Sequence, residues 1–208
     1  MIPWEPASLF FTASLALALA PGPDNIFVLT QSALHGRLAG LFITIGLCTG
    51  LMAHTAAVAL GVAVIFQTSA LAFNLLKVLG AAYLLYLAWQ AFRAETSELP
   101  RGDDTGASRA KLYARGVVMN VMNPKVAIFF LAFLPQFADP DRGSLTAQLF
   151  LFGAIFMAAT LIVFGSIAWS AGLLGAWLRR STRIQLIMNR LAGAVFVGLA
   201  LRLATVER

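Results

Sequence analysis

Two short polar stretches interrupt an otherwise apolar sequence, and both hold residue types that bind charge. The first is Pro21-Gly22-Pro23-Asp24-Asn25, and the second is Asn120-Val121-Met122-Asn123-Pro124-Lys125. A proline lacks a backbone donor and crowds the carbonyl four residues before it. Pro21 and Pro23 therefore release the carbonyls of Leu17 and Leu19, and Pro124 releases that of Asn120. In hydrocarbon an unpaired carbonyl is very costly, so each break has to face protein or a watery cavity. A half-helix starting near Asn25 presents free N–H groups and a positive dipole end, which suit a carboxylate. Asp24 suits an ammonium group or a proton. Lys125 can neutralise Asp24 or bind a carboxylate, and the amides of Asn120 and Asn123 both donate and accept. The plainer readings are a proline kink or a surface loop with Asp24 as a solvated N-cap, and a Lys125 that snorkels to an interface. Ionisable residues at membrane depth are functional by default. That rule favours Pro21, Gly22, Pro23, Asp24, Asn25, Asn120, Asn123, Pro124 and Lys125 as a site for substrate or proton.

Further candidates lie elsewhere. Gly46, Gly50 and His54 are spaced by four, so they share one helix face suited to close packing against a neighbouring helix. His54 is then turned inward, as a proton carrier or as a satisfied packing residue. Lys77 lies near the start of an apolar run, where a cation opposes the helix dipole; it is either functional or snorkels, and Arg190 snorkels. Phe129, Phe130, Phe133 and Phe137 follow Pro124 at helical spacing, for packing or lipid contact or to line a substrate path. Trp4, Trp169 and Trp177 suit interfacial belts. Cys48 is the only cysteine and there are two histidines, which excludes a disulfide, a CxxC redox pair and a cysteine-based metal site. No nucleophile–base constellation is present, so the chain reads as a non-enzyme without cofactor or metal.

The elements that position these residues are membrane helices. Of the 208 residues 60% are hydrophobic and 12% charged, and mean hydropathy is +0.82. Apolar runs fall at 8–30, 38–66, 71–92, 113–137, 146–178 and 185–204. Each is near or above the roughly 20 residues that cross a bilayer. The run at 8–20 is read as a retained span and not a cleaved leader, because residues 1–7 hold no Lys or Arg and Pro21 follows.

The net charge of +6 is spread between these runs and not clustered on one soluble face, which argues against nucleic acid. Arg37, then Arg93, Arg101, Arg109, Lys111 and Arg115, then Arg179, Arg180, Arg183 and Arg190 fall in alternate connections. This places those connections in the cytoplasm and both termini outside.

Lys77-Val-Leu-Gly80-Ala81-Ala-Tyr83 aligns with Arg190-Leu-Ala-Gly193-Ala194-Val-Phe196, and runs one and four are both broken by proline. Three helices per half make the second half inverted. Such repeats with matching broken helices point to a secondary transporter. The expectation is one all-α membrane domain, 1–208, of about six transmembrane helices. It divides into two inverted three-helix repeats, about 1–93 and 113–208, with helices one and four broken. A polar cytoplasmic linker, about 94–112, joins the repeats.

Ala20-Pro-Gly-Pro-Asp-Asn25, the Gly46/Gly50/His54 face, Lys77-x-x-Gly80-Ala-x-Tyr83-Leu84 and Asn123-Pro-Lys-x-x-x-Phe129-Phe130, followed by Phe133-Leu-Pro-Gln-Phe137, occur in order over almost the whole chain. Together they resemble the LysE/RhtB family of bacterial amino-acid exporters. The resemblance implies a plasma-membrane (inner-membrane) exporter of amino acids such as lysine, arginine, homoserine or threonine, driven by the proton gradient. Its expected partners are an amino acid, protons and the lipid bilayer, and exposed small-residue faces suit a homodimer. The alternatives are an exporter of another small solute or ion, or a scaffold. A heavy-metal exporter would need soft ligands that are missing here. A scaffold accounts for the spans but not for the paired polar breaks.

Overall fold

The computed structural model describes residues 2–20, 22–62, 70–93, 108–180 and 182–205. Pro21 and the greater part of the linker, from its start at 94 to 107, lie outside the described residues, as does the side chain of Trp177. Every described regular element is helical: α1 (Trp4–Leu19), α2 (Pro23–His35), α3 (Arg37–Ala57), α4 (Ala70–Arg93), α5 (Arg109–Val121), α6 (Pro124–Ile128), α7 (Leu145–Arg180) and α8 (Thr182–Thr205). Two α-helices continue as wider π turns, α3 over Val58–Val62 and α6 over Phe129–Phe133. A 3₁₀ turn, Leu134–Phe137, then closes α6.

The stops follow local chemistry. Pro23 and Pro124 stand at the first helical position of α2 and α6, where the missing N–H is needed by no partner. Gly36 joins α2 to α3 at φ 84° and Gly143 precedes α7 at φ 105°, conformations that strain any residue with a side chain. Buried hydroxyls within the helices bond back one turn, as Ser14 does to Phe10, Ser32 to Val28, Thr44 to Gly40 and Thr55 to Leu51. This disposes of their polarity in apolar surroundings.

Arg37–Gly61 and Leu145–Ala171 are each long and apolar enough to cross a membrane. Two bent pairs raise the number to four if each counts as one span: α1 with α2, bent by 64°, and Arg109–Val121 with Pro124–Phe137, bent by 50°. These bends carry the two proline breaks. α3 packs along α5 and α7, α4 along α8, and both α1 and α2 against α7.

Two apolar cores result. The larger is built on Phe10, Phe129, Phe130, Phe133, Phe137, Phe152 and Phe156, with ring centroids 4.7–6.5 Å apart in the contacting pairs. The four phenylalanines after Pro124 are therefore core packing. The smaller core gathers Val28, Ile43, Leu47, Val163 and Phe164.

Four guanidinium groups cover aromatic rings: Arg37 over Trp169, Arg93 over Trp89, Arg109 over Phe42 and Arg115 over Phe27, at 4.4, 4.7, 5.6 and 4.6 Å. Leu75, Val78, Leu79, Leu191 and Leu201 on α4 and α8 are exposed, as a lipid-facing surface would be.

Candidate functional site

The glycine face of α3 is where the site begins. A Cβ on Gly46 would lie 2.2 Å from the Tyr113 carbonyl oxygen, and one on Gly116 would lie 2.4 Å from that of Ile43. α3 and α5 thus cross backbone to backbone, which only glycine permits at these two points. One turn further, Gly50 lies against the Asn120 side chain. A turn beyond that, His54 Nε2 lies 3.1 Å from the Asn120 carbonyl oxygen. That carbonyl is the one freed by Pro124, so the histidine Nε2–H supplies the second donor it takes, beside the Asn123 N–H at 3.0 Å. The same face leaves no room for a second copy of the chain, because α5 occupies it.

Gly46→Ala should therefore destabilise the protein by about 1–3 kcal/mol through overpacking against backbone. Gly165→Ala, where nothing lies within 4 Å of the added Cβ, should be neutral or slightly stabilising. Thermal unfolding of the purified protein in detergent compares the two. Equal midpoints would show that the crossing yields without cost.

The break between α1 and α2 is held from both sides. Asn25 turns back and donates from Nδ2 to the Ala18 carbonyl at 2.7 Å. Lys125 reaches across from α6 and donates from Nζ to the carbonyls of Leu17 at 3.2 Å and Ala20 at 3.1 Å. Lys125 neither snorkels nor forms an ion pair with Asp24; among the described residues the ion pair within 4 Å is Arg142–Asp139. The physical reason is that the bent α1 exposes strong acceptors to the lysine, and they satisfy an ammonium group that burial would otherwise leave unpaired. The sequence identified Leu17 correctly, while the further carbonyls held by side chains are Ala18 and Ala20 and not Leu19.

The two breaks are joined directly. Asn123 caps α6 through Oδ1, which accepts from the Lys125 N–H at 3.0 Å, and its Nδ2 donates to Asp24 Oδ2 at 2.8 Å. The cap fixes which end of the amide faces Asp24. Asp24, Asn120 and Asn123 are buried, with 5%, 3% and 6% of their surface exposed. They lie where the cores adjoin, since Leu17 and Leu51 belong to one core and Ala18 and Leu47 to the other. α2 begins at Gly22 without a side-chain cap, and Asp24 sits in its first turn.

Of the sequence candidates, Asp24, Asn25, His54, Asn120, Asn123 and Lys125 meet at this junction, with Gly22 beside the Lys125 ammonium and Pro23 and Pro124 opening the half-helices. Pro21 is outside the described residues. Lys77 lies in α4 and is partly buried. Sequence reasoning passed over Thr30 in α2 and Thr160 in α7, whose buried hydroxyls have no hydrogen-bond partner among the described residues. A hydroxyl inside an apolar run gives no signal, because it normally bonds its own helix. No group of three metal-binding side chains occurs among the described residues.

Membrane-length apolar helices, together with two bent helix pairs that meet through buried polar groups, are the make-up of a helical membrane protein. The chain belongs to the LysE type translocator family, whose model matches residues 15–207. It is 33% identical over 198 residues to an uncharacterised membrane protein of Vibrio cholerae, covering 95% of this chain and 96% of that protein. It is 32% identical over 188 residues to a homoserine/homoserine lactone efflux protein of Salmonella typhimurium, covering 90% of each. To a leucine efflux protein of Klebsiella pneumoniae it is 26% identical over 199 residues, covering 95% of this chain and 94% of that one. No solved structure matches it.

Proposed function

We propose that the protein is a secondary active exporter of amino acids or amino-acid derivatives across the bacterial plasma membrane, driven by protons. The observation that carries this reading is the Asn123–Asp24 hydrogen bond, which ties two proline-broken helices together around buried polar groups. Broken helices meeting at membrane depth are the arrangement in which transporters bind solute, because unwound backbone is tolerated only around a cavity. The efflux proteins of Salmonella typhimurium and Klebsiella pneumoniae support the solute class. Asp24 is the group through which protons would couple, as the only acidic side chain inside an apolar run.

On this reading α4 and α8 complete six spans in two inverted repeats, 1–93 and 113–208, forming one domain. The linker faces the cytoplasm and both termini lie outside. The placing of Arg37, Arg109 and Arg115 in or beside alternate connections supports that orientation. A single cysteine in the linker, Ser97→Cys in a Cys48→Ala background, should resist impermeant thiol reagents in intact cells and react after permeabilisation. Pro3→Cys should react in both. The opposite pattern inverts the topology.

The function is tested by counterflow of labelled amino acids into liposomes holding the purified chain. Saturable uptake against empty-liposome controls, accelerated by unlabelled solute preloaded inside the liposomes, is the expected result. No exchange across the full panel would leave only a scaffold.

A further inference from the structure

The backbone at Gly22 does not require a glycine. Its φ of −170° and ψ of 178° are extended, a conformation open to any residue, and no neighbour lies closer than 3.3 Å to a Cβ placed there. The three atoms nearest that point are all polar: Lys125 Nζ at 3.3 Å, Asn25 Oδ1 at 3.8 Å and the Ala20 carbonyl oxygen at 3.9 Å. The missing side chain thus leaves a small polar space at the break between α1 and α2, beside residues that are only half-buried. Two of the groups around it are incomplete. Lys125 gives two N–H groups to the Leu17 and Ala20 carbonyls and has a third to give. Among the described residues no carboxylate lies within 4 Å of it, so dipoles and not a counter-charge hold the ammonium. Asn25 gives Nδ2 to the Ala18 carbonyl, while its buried Oδ1 accepts nothing from the described residues. One point in space is therefore bordered by an unspent charged donor and an unspent acceptor, groups that are normally paired when water is excluded.

We infer, resting on the exporter reading, that the space over Gly22 seats the head of an α-amino acid, its carboxylate on Lys125 Nζ and its ammonium on Asn25 Oδ1. A carboxylate whose carbon stands at the Cβ point, 3.3 Å from Nζ, has an oxygen within hydrogen-bonding reach of the lysine. It also brings the counter-charge that Lys125 lacks, and charge-assisted hydrogen bonds are the stronger ones. The solute ammonium is two bonds from that carbon and within a short step of Asn25 Oδ1, 3.8 Å from the same point. Neither contact involves the solute side chain, so the subsite reads the head shared by all α-amino acids. Esters, carboxamides and lactones lose the negative charge that Lys125 pairs with. N-acylated amino acids lose the charged donor that Asn25 takes. Both kinds are poorer solutes than the free acid.

The test uses the full-length chain in liposomes and the labelled amino acid that exchanges fastest in the panel. Competitors are its methyl ester, its carboxamide and its N-acetyl derivative, in mildly acidic medium where free amines stay charged. Each should inhibit counterflow about 10-fold more weakly than the unlabelled parent acid, the loss of one charge-assisted hydrogen bond. Gly22→Ala puts a methyl group into the space and should raise the half-saturating concentration about 10-fold. Its unfolding midpoint in detergent should match the wild type, because the added carbon meets the flexible end of a lysine and a backbone already extended. Should Gly22→Ala fail to fold, the competitors on the wild-type chain decide alone. Inhibition by the ester or the N-acetyl compound at the level of the parent acid, or a wild-type half-saturating concentration in Gly22→Ala, overturns the inference and leaves the exporter reading standing. Absence of exchange for every amino solute overturns both.

Discussion

Asp24→Asn should insert and fold but lose proton-driven export. The replacement keeps the shape, and its amide oxygen can still accept from Asn123 Nδ2, which now donates to Asp24 Oδ2 at 2.8 Å. It removes the charge and the capacity to take up a proton. A hydrogen bond to a charged group contributes roughly 1.5–3 kcal/mol, so a lost ammonium contact lowers transport by about 10–150-fold. Two measurements separate the roles. If Asp24 serves only the proton, exchange between equal solute pools without a gradient survives. If it also receives the ammonium, exchange falls with net export. Export by Asp24→Asn at the wild-type rate across the pH range would reduce Asp24 to a residue in the first turn of α2.

Lys125→Met should damage stability first and transport second. Its ammonium holds the Leu17 and Ala20 carbonyls, and a methionine leaves both without that donor. With about 1–3 kcal/mol for each buried acceptor left unpaired, the expected loss is roughly 2–6 kcal/mol. The unfolding midpoint in detergent should fall well below the wild type, and Lys125→Arg should recover part of the loss by donating from its guanidinium. A Lys125→Met protein of unchanged stability but weakened solute affinity would make the lysine a solute ligand and not a pin.

The location of the junction was legible in the sequence because a proline within an apolar run frees backbone carbonyls that something polar must then satisfy. Pro23 and Pro124 fix where donors disappear, and polar side chains beside them mark where water or protein must make up the difference. Likewise the spacing of Gly46, Gly50 and His54 announced a packed, inward face, and the structure turns it onto α5. Which donor meets which freed carbonyl was not legible. The pairing depends on the 64° and 50° bends and on how closely α3 and α5 cross. Local sequence carries neither quantity. Opposite charges on Asp24 and Lys125 invited an ion pair, yet an asparagine bonds one oxygen of the acid and backbone oxygens hold the base. Charge matching is a weaker guide than hydrogen-bond completion where water is scarce.

The phenylalanine cluster bears on a different problem, that of leakage. Phe10 and Phe133 are 0% and 1% exposed, and both belong to the core on the side where α1 starts and α6 ends. Seven stacked and tilted rings offer no oxygen or nitrogen to which a file of water molecules could bind. The cluster is therefore an electrical insulator set against the junction, and an ion crossing it unaided would face a steep solvation barrier. A solute can pass that way only when packed aromatic side chains move apart together. On the exporter reading, turnover on this side would be governed by the rearrangement of a close-packed solid, with the steep temperature dependence that implies, and not by diffusion through a pore.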